Sequence, residues 1–241
     1  MEPAPAQVPG IKKSAPSLKF IISNQLTKKQ IKYDPSQLPE ELQEYLAQLK
    51  EVKEYRKFYL VENLQENPQQ ALVWAMKLNA IKVIPDLISM GANINMYLGD
   101  YGIYWTPLQW AVEKGNFPMV KVFVENGASV NAIKVPYSQF GITPLHILSK
   151  KVPSDRVFCE AAISFLIENK ANINAQDSFG NIPLSGAVLN NNIDVVRILL
   201  QNKANYTITN ICGETPLKQA ETRGYAAIIE LLKQHQIMQS K

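Results

Sequence analysis

The side chains best suited to nucleophilic or metal chemistry are few: two histidines, His146 and His235, and two cysteines, Cys159 and Cys212. A cysteine nucleophile needs a histidine within hydrogen-bond reach as its general base. The pattern around them predicts Cys159 in a helix and Cys212 in a loop two units away from His146. The two cysteines also lack the spacing of a zinc site. We therefore predict no catalytic residue, no metal site and no cofactor.

One short phrase occurs four times and organises the rest of the chain. It reads Thr-Pro-Leu at residues 106–108, 143–145 and 215–217, and Ile-Pro-Leu at residues 182–184. A threonine N-cap accepts a hydrogen bond from an unpaired backbone N–H, and proline at the first helical position has no N–H to lose. Each phrase therefore predicts the start of a helix.

A second phrase, Gly-Ala or Lys-Ala, follows the first three copies. Its alanine, at position 128, 171 or 204, comes 22, 28 and 22 residues after the threonine or isoleucine. Between the two phrases lies an apolar block, such as residues 195–200, that is too broad for an isolated surface helix. A repeat of about 33 residues with such blocks indicates a stacked array in which neighbouring units cover one another.

A helix opened by Thr-Pro-Leu, a second helix and a Gly-Ala turn resemble the ankyrin repeat. Residues 143–146 complete that family's fuller phrase, Thr-Pro-Leu-His, and Leu72, Trp74 and Ala75 mark a degenerate first copy. The resemblance implies an all-α ankyrin-repeat solenoid of about five helix-turn-helix units with β-hairpin fingers. It also implies that His146 hydrogen bonds within or between repeats. The units are predicted at residues 68–102, 103–139, 140–178, 179–211 and 212–241, forming one repeat domain over 68–241.

Pro85 interrupts the pattern of the first unit. It falls inside the segment that the repeat assigns to the second helix. Because proline removes a backbone donor and clashes with the preceding turn, we predict a kink at this position.

The residues before the repeats have a different composition. Residues 1–32 hold six lysines and one glutamate and are predicted to form a basic, largely disordered tail. In residues 33–67, apolar side chains recur at alternating spacings of four and three, which predicts helix. This segment would cover the exposed end of the first repeat as an N-terminal helical cap. The alternative to a capped monomer is a dimer formed through the same helix.

Composition narrows the classes of function. No apolar run is long enough to span a bilayer, and the N-terminal residues lack a secretory apolar stretch. Two cysteines without a framework fit reduced thiols, so a cytoplasmic location is expected. A net charge of +4 without a structured basic face gives no support for nucleic-acid binding. We expect a protein partner, no nucleic acid and no integral membrane association.

Two long fingers are the predicted contact surface for that partner. The segments between Asn95 and Thr106 and between Asn131 and Thr143 are three and four residues longer than the one between Asn174 and Ile182. Aromatic side chains on loops are favoured binding anchors. The alternative is that these rings pack on one another and stiffen the fingers. The predicted protein-binding residues are Tyr97, Tyr101, Tyr104, Trp105, Tyr137 and Phe140, with Glu113 and Lys150 on the concave side.

These observations predict a non-enzymatic protein-binding scaffold or adaptor. One alternative is an effector delivered by an intracellular bacterium into a host cytoplasm, suggested by abundant Asn, Lys, Ile and Gln. A second alternative is an enzyme, or a fragment of one, whose activity lies in residues 18–66. That segment contains neither histidine nor cysteine, so its chemistry would depend on Asp34, the glutamates or the tyrosines.

Overall fold

The computed structural model describes residues 68–98, 105–133, 141–151 and 156–239, together with helical residues at 40, 43, 44, 47 and 48. The chain divides into two compact units, Met1–Ala92 and Asn93–Lys241. All regular secondary structure in the described residues is helical, which confirms the predicted all-α class. The described fingers are closed by hydrogen-bonded turns and contain no β-strand. The predicted boundaries of the tail, cap and repeat domain stay predictions.

Two α-helices and a short 3-10 helix form the described part of the first repeat. Helix α1 spans Pro68–Lys77, the 3-10 helix Ile81–Val83 and helix α2 Ile84–Ser89. Pro85 stands in the first turn of α2 and does not kink it, so the predicted kink is wrong. Proline is tolerated there because the first backbone N–H groups of a helix have no intrahelical partner. Helix α1 buries six consecutive residues: Ala71, Leu72, Val73, Trp74, Ala75 and Met76.

Two of the described helical residues before the first repeat, Glu44 and Gln48, contact it. The backbone N–H of Lys82 donates to Gln48 Oε1 at 3.0 Å, and Lys82 Nζ bonds the Glu44 carboxylate. Both partners of the ion pair are exposed, so the pair adds little stability by itself. Most of the predicted cap lies outside the described residues.

In its described residues, the second unit contains four pairs of helices. In each pair the first helix is short and begins at a Pro-Leu phrase. First helices pack on first helices in chain order, and second helices pack on second helices. Because each helix buries its apolar block against the next pair, the core is continuous along the array. The pairs are α3 (Pro107–Glu113) with α4 (Phe117–Glu125), α5 (Pro144–Ser149) with α6 (Arg156–Glu168), α7 (Pro183–Leu189) with α8 (Ile193–Gln201), and α9 (Pro216–Arg223) with α10 (Ala226–Gln239).

The repeated phrases determine the helix starts, as predicted. Thr106 Oγ1 accepts from Gln109 N–H at 3.3 Å, and Thr215 Oγ1 accepts from Lys218 N–H at 3.2 Å. Ile182 begins α7 in the same extended backbone conformation but has no side-chain acceptor. It contributes instead by packing, since its side chain is fully buried.

The Gly-Ala and Lys-Ala phrases end the second helices. Gly127, Lys170 and Lys203 have φ values of 90°, 71° and 65°. This left-handed conformation is open to glycine but costs a residue with a Cβ about 1–2 kcal/mol. The two lysines are therefore held there by the surrounding fold.

Candidate protein-binding surface

Four of the predicted binding residues, Tyr101, Tyr104, Tyr137 and Phe140, lie outside the described residues. Tyr97 and Trp105 are described and are both partly buried. Between them, Leu98 N–H donates to the Trp105 carbonyl at 3.2 Å and closes the base of the first long finger. The fully buried side chain of Leu98 anchors that base in the core. The structure therefore describes the base of this finger, and its role in binding stays a prediction.

Glu113 and Lys150 both lie at the C-terminal ends of first helices and are exposed. The Glu113 carbonyl accepts from Lys151 Nζ, which links the ends of α3 and α5. Lys150 follows α5 and lies on the rim of a cavity between α5 and α7. The structure thus places these two charges on successive first helices.

His146 links two repeats, as the repeat pattern implied. Thr143 N–H donates to His146 Nδ1 at 3.3 Å, and His146 Nε2 lies 3.0 Å from the Asn181 carbonyl in the next finger. These two contacts assign the proton to Nε2 and require a neutral ring. Burial lowers the pKa of His146 below its ordinary value of 6.5, and Lys150 lowers it further, against opposing effects of the Asn181 hydrogen bond and Asp177. His146 is therefore a structural group that joins two successive repeats.

Gln109 does in α3 what His146 does in α5. Its Oε1 accepts from Thr106 N–H at 3.1 Å, and its Nε2 donates to the Ile142 carbonyl of the next repeat at 2.9 Å. An amide carries the same acceptor and donor as a neutral imidazole. Sequence reasoning missed this equivalence, although Gln109 stands at the histidine position of its phrase.

Three asparagines, Asn95, Asn131 and Asn174, form a ladder that joins successive fingers. Their Oδ1 atoms accept backbone N–H groups of the next unit, from Ser129 at 2.7 Å, Asn172 at 2.7 Å and Asn205 at 2.8 Å. Asn131 Nδ2 also donates to the Lys170 carbonyl at 3.0 Å. The ladder was not predicted. Its signal was an asparagine four residues after each of Gly91, Gly127 and Lys170. Thr207 stands at the same place in the turn after Lys203.

A cavity of about 240 Å³ opens between α5, α7 and the finger at residues 177–181. Phe179 forms part of its wall and is 46% exposed, which is unusual for a phenylalanine. Among the fingers, only the two long ones were selected from the sequence and not this short one, although the predicted Lys150 does line the cavity. A large apolar side chain at its tip was the available signal.

The described residues contain few groups suited to nucleophilic chemistry or metal binding. Cys159 is buried and Cys212 exposed, both as free thiols. Within the described ranges, His, Cys, Asp and Glu side chains form no group of three that could hold a metal ion. None of the described helices combines the length and hydropathy that a membrane span requires.

Comparison with known proteins gives family matches and a curated relative. A family model described as "Ankyrin repeats (3 copies)" matches residues 131–210 and 157–240, and one described as "Ankyrin repeat" matches residues 104–134. Together these matches span more than half of the chain. The "Probable 26S proteasome regulatory subunit p28" of Saccharomyces cerevisiae is 29% identical over 129 residues, which is 53% of this chain and 52% of that protein. The chain thus spans about half the length of the curated relative it matches.

Proposed function

Because the chain belongs to the ankyrin repeat family, we propose that it is a non-enzymatic scaffold that binds a protein partner through its fingers and the face of its first helices. Proteins built from ankyrin repeats serve generally in protein–protein interaction. The observation that carries the proposal here is the cavity between α5, α7 and the finger at residues 177–181, walled by the exposed ring of Phe179. An exposed aromatic beside a cavity is typical of a binding anchor.

The long fingers are the second part of the proposed surface. Their sequences contain Tyr101 and Tyr137, in predicted loops that can vary without changing the core. Replacing both with alanine should abolish partner capture from a cell lysate while the far-ultraviolet circular dichroism stays unchanged. The matched control replaces both with phenylalanine, keeps the rings and should retain most capture. Capture at the original level by the alanine variant would contradict this part of the surface.

The same capture tests a specific class of partner. The yeast relative is named as a probable regulatory subunit of the 26S proteasome. Recovery of proteasome subunits together with this chain would identify the proteasome as its partner. Recovery of other proteins alone would support a scaffold with a different partner.

We also propose that residues 33–67 cap the first repeat. The proposal is supported by the bonds from Lys82 to Gln48 and Glu44. Deleting residues 1–67 should lower the melting temperature, whereas deleting residues 1–32 should leave it unchanged. Sedimentation of both deletion variants and the full chain tests the alternative, because a helix used for dimerisation would make only the longer deletion monomeric.

A further inference from the structure

A glycine stands where the other first helices of the second unit carry larger side chains. The equivalent position lies three residues after the proline of each Pro-Leu phrase. It is occupied by Trp110 in α3, Ile147 in α5, Gly186 in α7 and Gln219 in α9. The cavity of about 240 Å³ lies beside Gly186, and Ser149 of α5 borders it from the other side. The cavity thus lies where α7 carries a glycine in place of a larger side chain.

The polar groups at the floor of the cavity are already hydrogen bonded. His146 Nε2 lies 3.0 Å from the Asn181 carbonyl, and Ser149 Oγ donates to the His146 carbonyl at 2.7 Å. Asn190 Nδ2 donates to the Gly186 carbonyl at 2.8 Å. Since these groups need no further partner, an apolar group can enter without leaving them unpaired.

The walls and the size of the cavity select the kind of group that fits. Ile142, Phe179 and Leu189 supply apolar surface. A volume of about 240 Å³ is below the range of roughly 300–1,000 Å³ for small-molecule pockets. An aromatic side chain suits such a site, because it buries a large area with few rotors and can pack against the Phe179 ring.

The lining of the cavity carries two opposite charges, those of Lys150 and Asp177. Asp177 Oδ1 already accepts from Phe179 N–H at 2.9 Å and from Asn181 N–H at 2.8 Å. Lys150 is exposed and forms no ion pair with any other residue in the described parts of the chain. A carboxylate of the partner could therefore approach Lys150 without displacing an existing pair.

We propose that this cavity receives one aromatic side chain of a protein partner, and that an acidic residue adjacent to it in the partner's sequence pairs with Lys150. The proposal rests on the scaffold function and specifies which peptide chemistry its surface recognises. The aromatic ring supplies most of the affinity, and the acidic residue supplies selectivity.

The test uses a displayed library of random heptapeptides selected against the full chain. The enriched peptides should contain an aromatic residue next to Asp or Glu. Addition of one such peptide should shift the backbone amide resonances of Asn181, Gly186 and Asn190. In the F179A variant its Kd should rise about tenfold, because a wall of the cavity is lost.

Charge reversal tests the acidic neighbour separately. Peptides selected for binding to the K150E variant should still contain the aromatic residue, but with Lys or Arg in place of its acidic neighbour. The matched control K218E reverses an exposed lysine on α9 that does not line the cavity, and its selected peptides should match those of the unaltered chain.

Three outcomes of the peptide experiments would overturn the proposal: no enrichment, enrichment of peptides without the aromatic and acidic pair, or a Kd that F179A and K150E leave unchanged. Failure of the scaffold function is a separate outcome, because that function is tested by the capture of whole proteins from a lysate. If F179A and K150E capture a protein partner normally, the scaffold function stands and this cavity is not its binding site.

Discussion

Gly186 of α7 lies directly against Ser149 of α5. A methyl group added to Gly186 would overlap Ser149 Oγ and lie 3.2 Å from Ser149 Cβ. Ser149 is fully buried, and its hydroxyl donates to the His146 carbonyl, so the side chain is not free to move away. The glycine therefore sets how closely the two first helices approach.

Substitution of Gly186 by alanine should destabilise the protein despite the better helix propensity of alanine. The propensity gain is about 0.5–1 kcal/mol, whereas overpacking costs about 1–3 kcal/mol. We expect a net loss of about 1–2 kcal/mol in the free energy of unfolding, measured by urea denaturation. In an S149A background the Oγ overlap is gone, so the same substitution should cost less. An equal cost in both backgrounds would show that the helix contact is not the cause.

Stability should fall as the pH drops below about 6.5, because of His146. The folded pKa of His146 is lowered, so near that pH the unfolded chain binds a proton that the folded chain does not. The contribution of the neutral His146 ring to stability is complete above the pKa that His146 has in the unfolded chain. It is lost as the pH falls towards the lower pKa that His146 has in the folded chain. The maximum slope for one such group is about 1.4 kcal/mol per pH unit. Urea denaturation at a series of pH values between 5 and 8 measures it.

The variant H146Q provides the control for this pH dependence. Gln109 shows that an amide can make both hydrogen bonds at the equivalent position of α3. H146Q should therefore keep most of the stability at pH 7.5 and lose the His146 part of the slope. H146A should lose about 1–3 kcal/mol at pH 7.5 because the Asn181 carbonyl loses its donor. Identical slopes for the original chain and H146Q would contradict the assignment.

The asparagine ladder should contribute measurably to the joining of repeats. N131A removes the acceptor for Asn172 N–H and the donor to the Lys170 carbonyl. Because both bonds are exposed, we expect a loss of about 1–2 kcal/mol rather than the full cost of buried groups. N131D retains the Oδ1 acceptor and should lose less. If thermal and urea unfolding of N131A match those of the original chain, the ladder is a consequence of stacking and not a contributor to it.

Lys203 should be improved by glycine. Its φ of 65° is left-handed, at a cost of about 1–2 kcal/mol that glycine avoids, whereas glycine loses about 0.5–1 kcal/mol of additional chain entropy. K203G should therefore gain about 0.5–1 kcal/mol of stability in urea denaturation. K203A is the matched control, since it removes the charge but keeps the Cβ, and it should gain nothing. A gain as large in K203A would assign the effect to the side chain.

Most of the helical framework could be predicted because it depends on local interactions. Thr106 and Thr215 cap helices through bonds that span three residues, and Gly127 ends one through its own backbone preference. Such signals are complete within a short stretch of sequence. Pro85 shows the limit, since proline marks either a kink or a first turn, and only the position of the preceding 3-10 helix distinguishes them.

The cavity beside Phe179 was not predicted, because its residues come from different repeats. The long fingers were chosen from their length and their aromatic residues, which the sequence shows directly. The cavity depends on which residue of α7 faces which residue of α5. No local sequence pattern indicates which of these residues face each other.

By itself the sequence determined the number and order of the second unit's helices, their capped starts and their left-handed ends. Tertiary structure decided that Gly186 meets Ser149, that Asn131 meets Asn172 and that Gln109 can replace a histidine. The physical reason is distance along the chain. A cap or a turn is completed within a few residues, whereas a contact between stacked repeats joins residues about one repeat apart, and its partner exists only once both repeats have folded and packed.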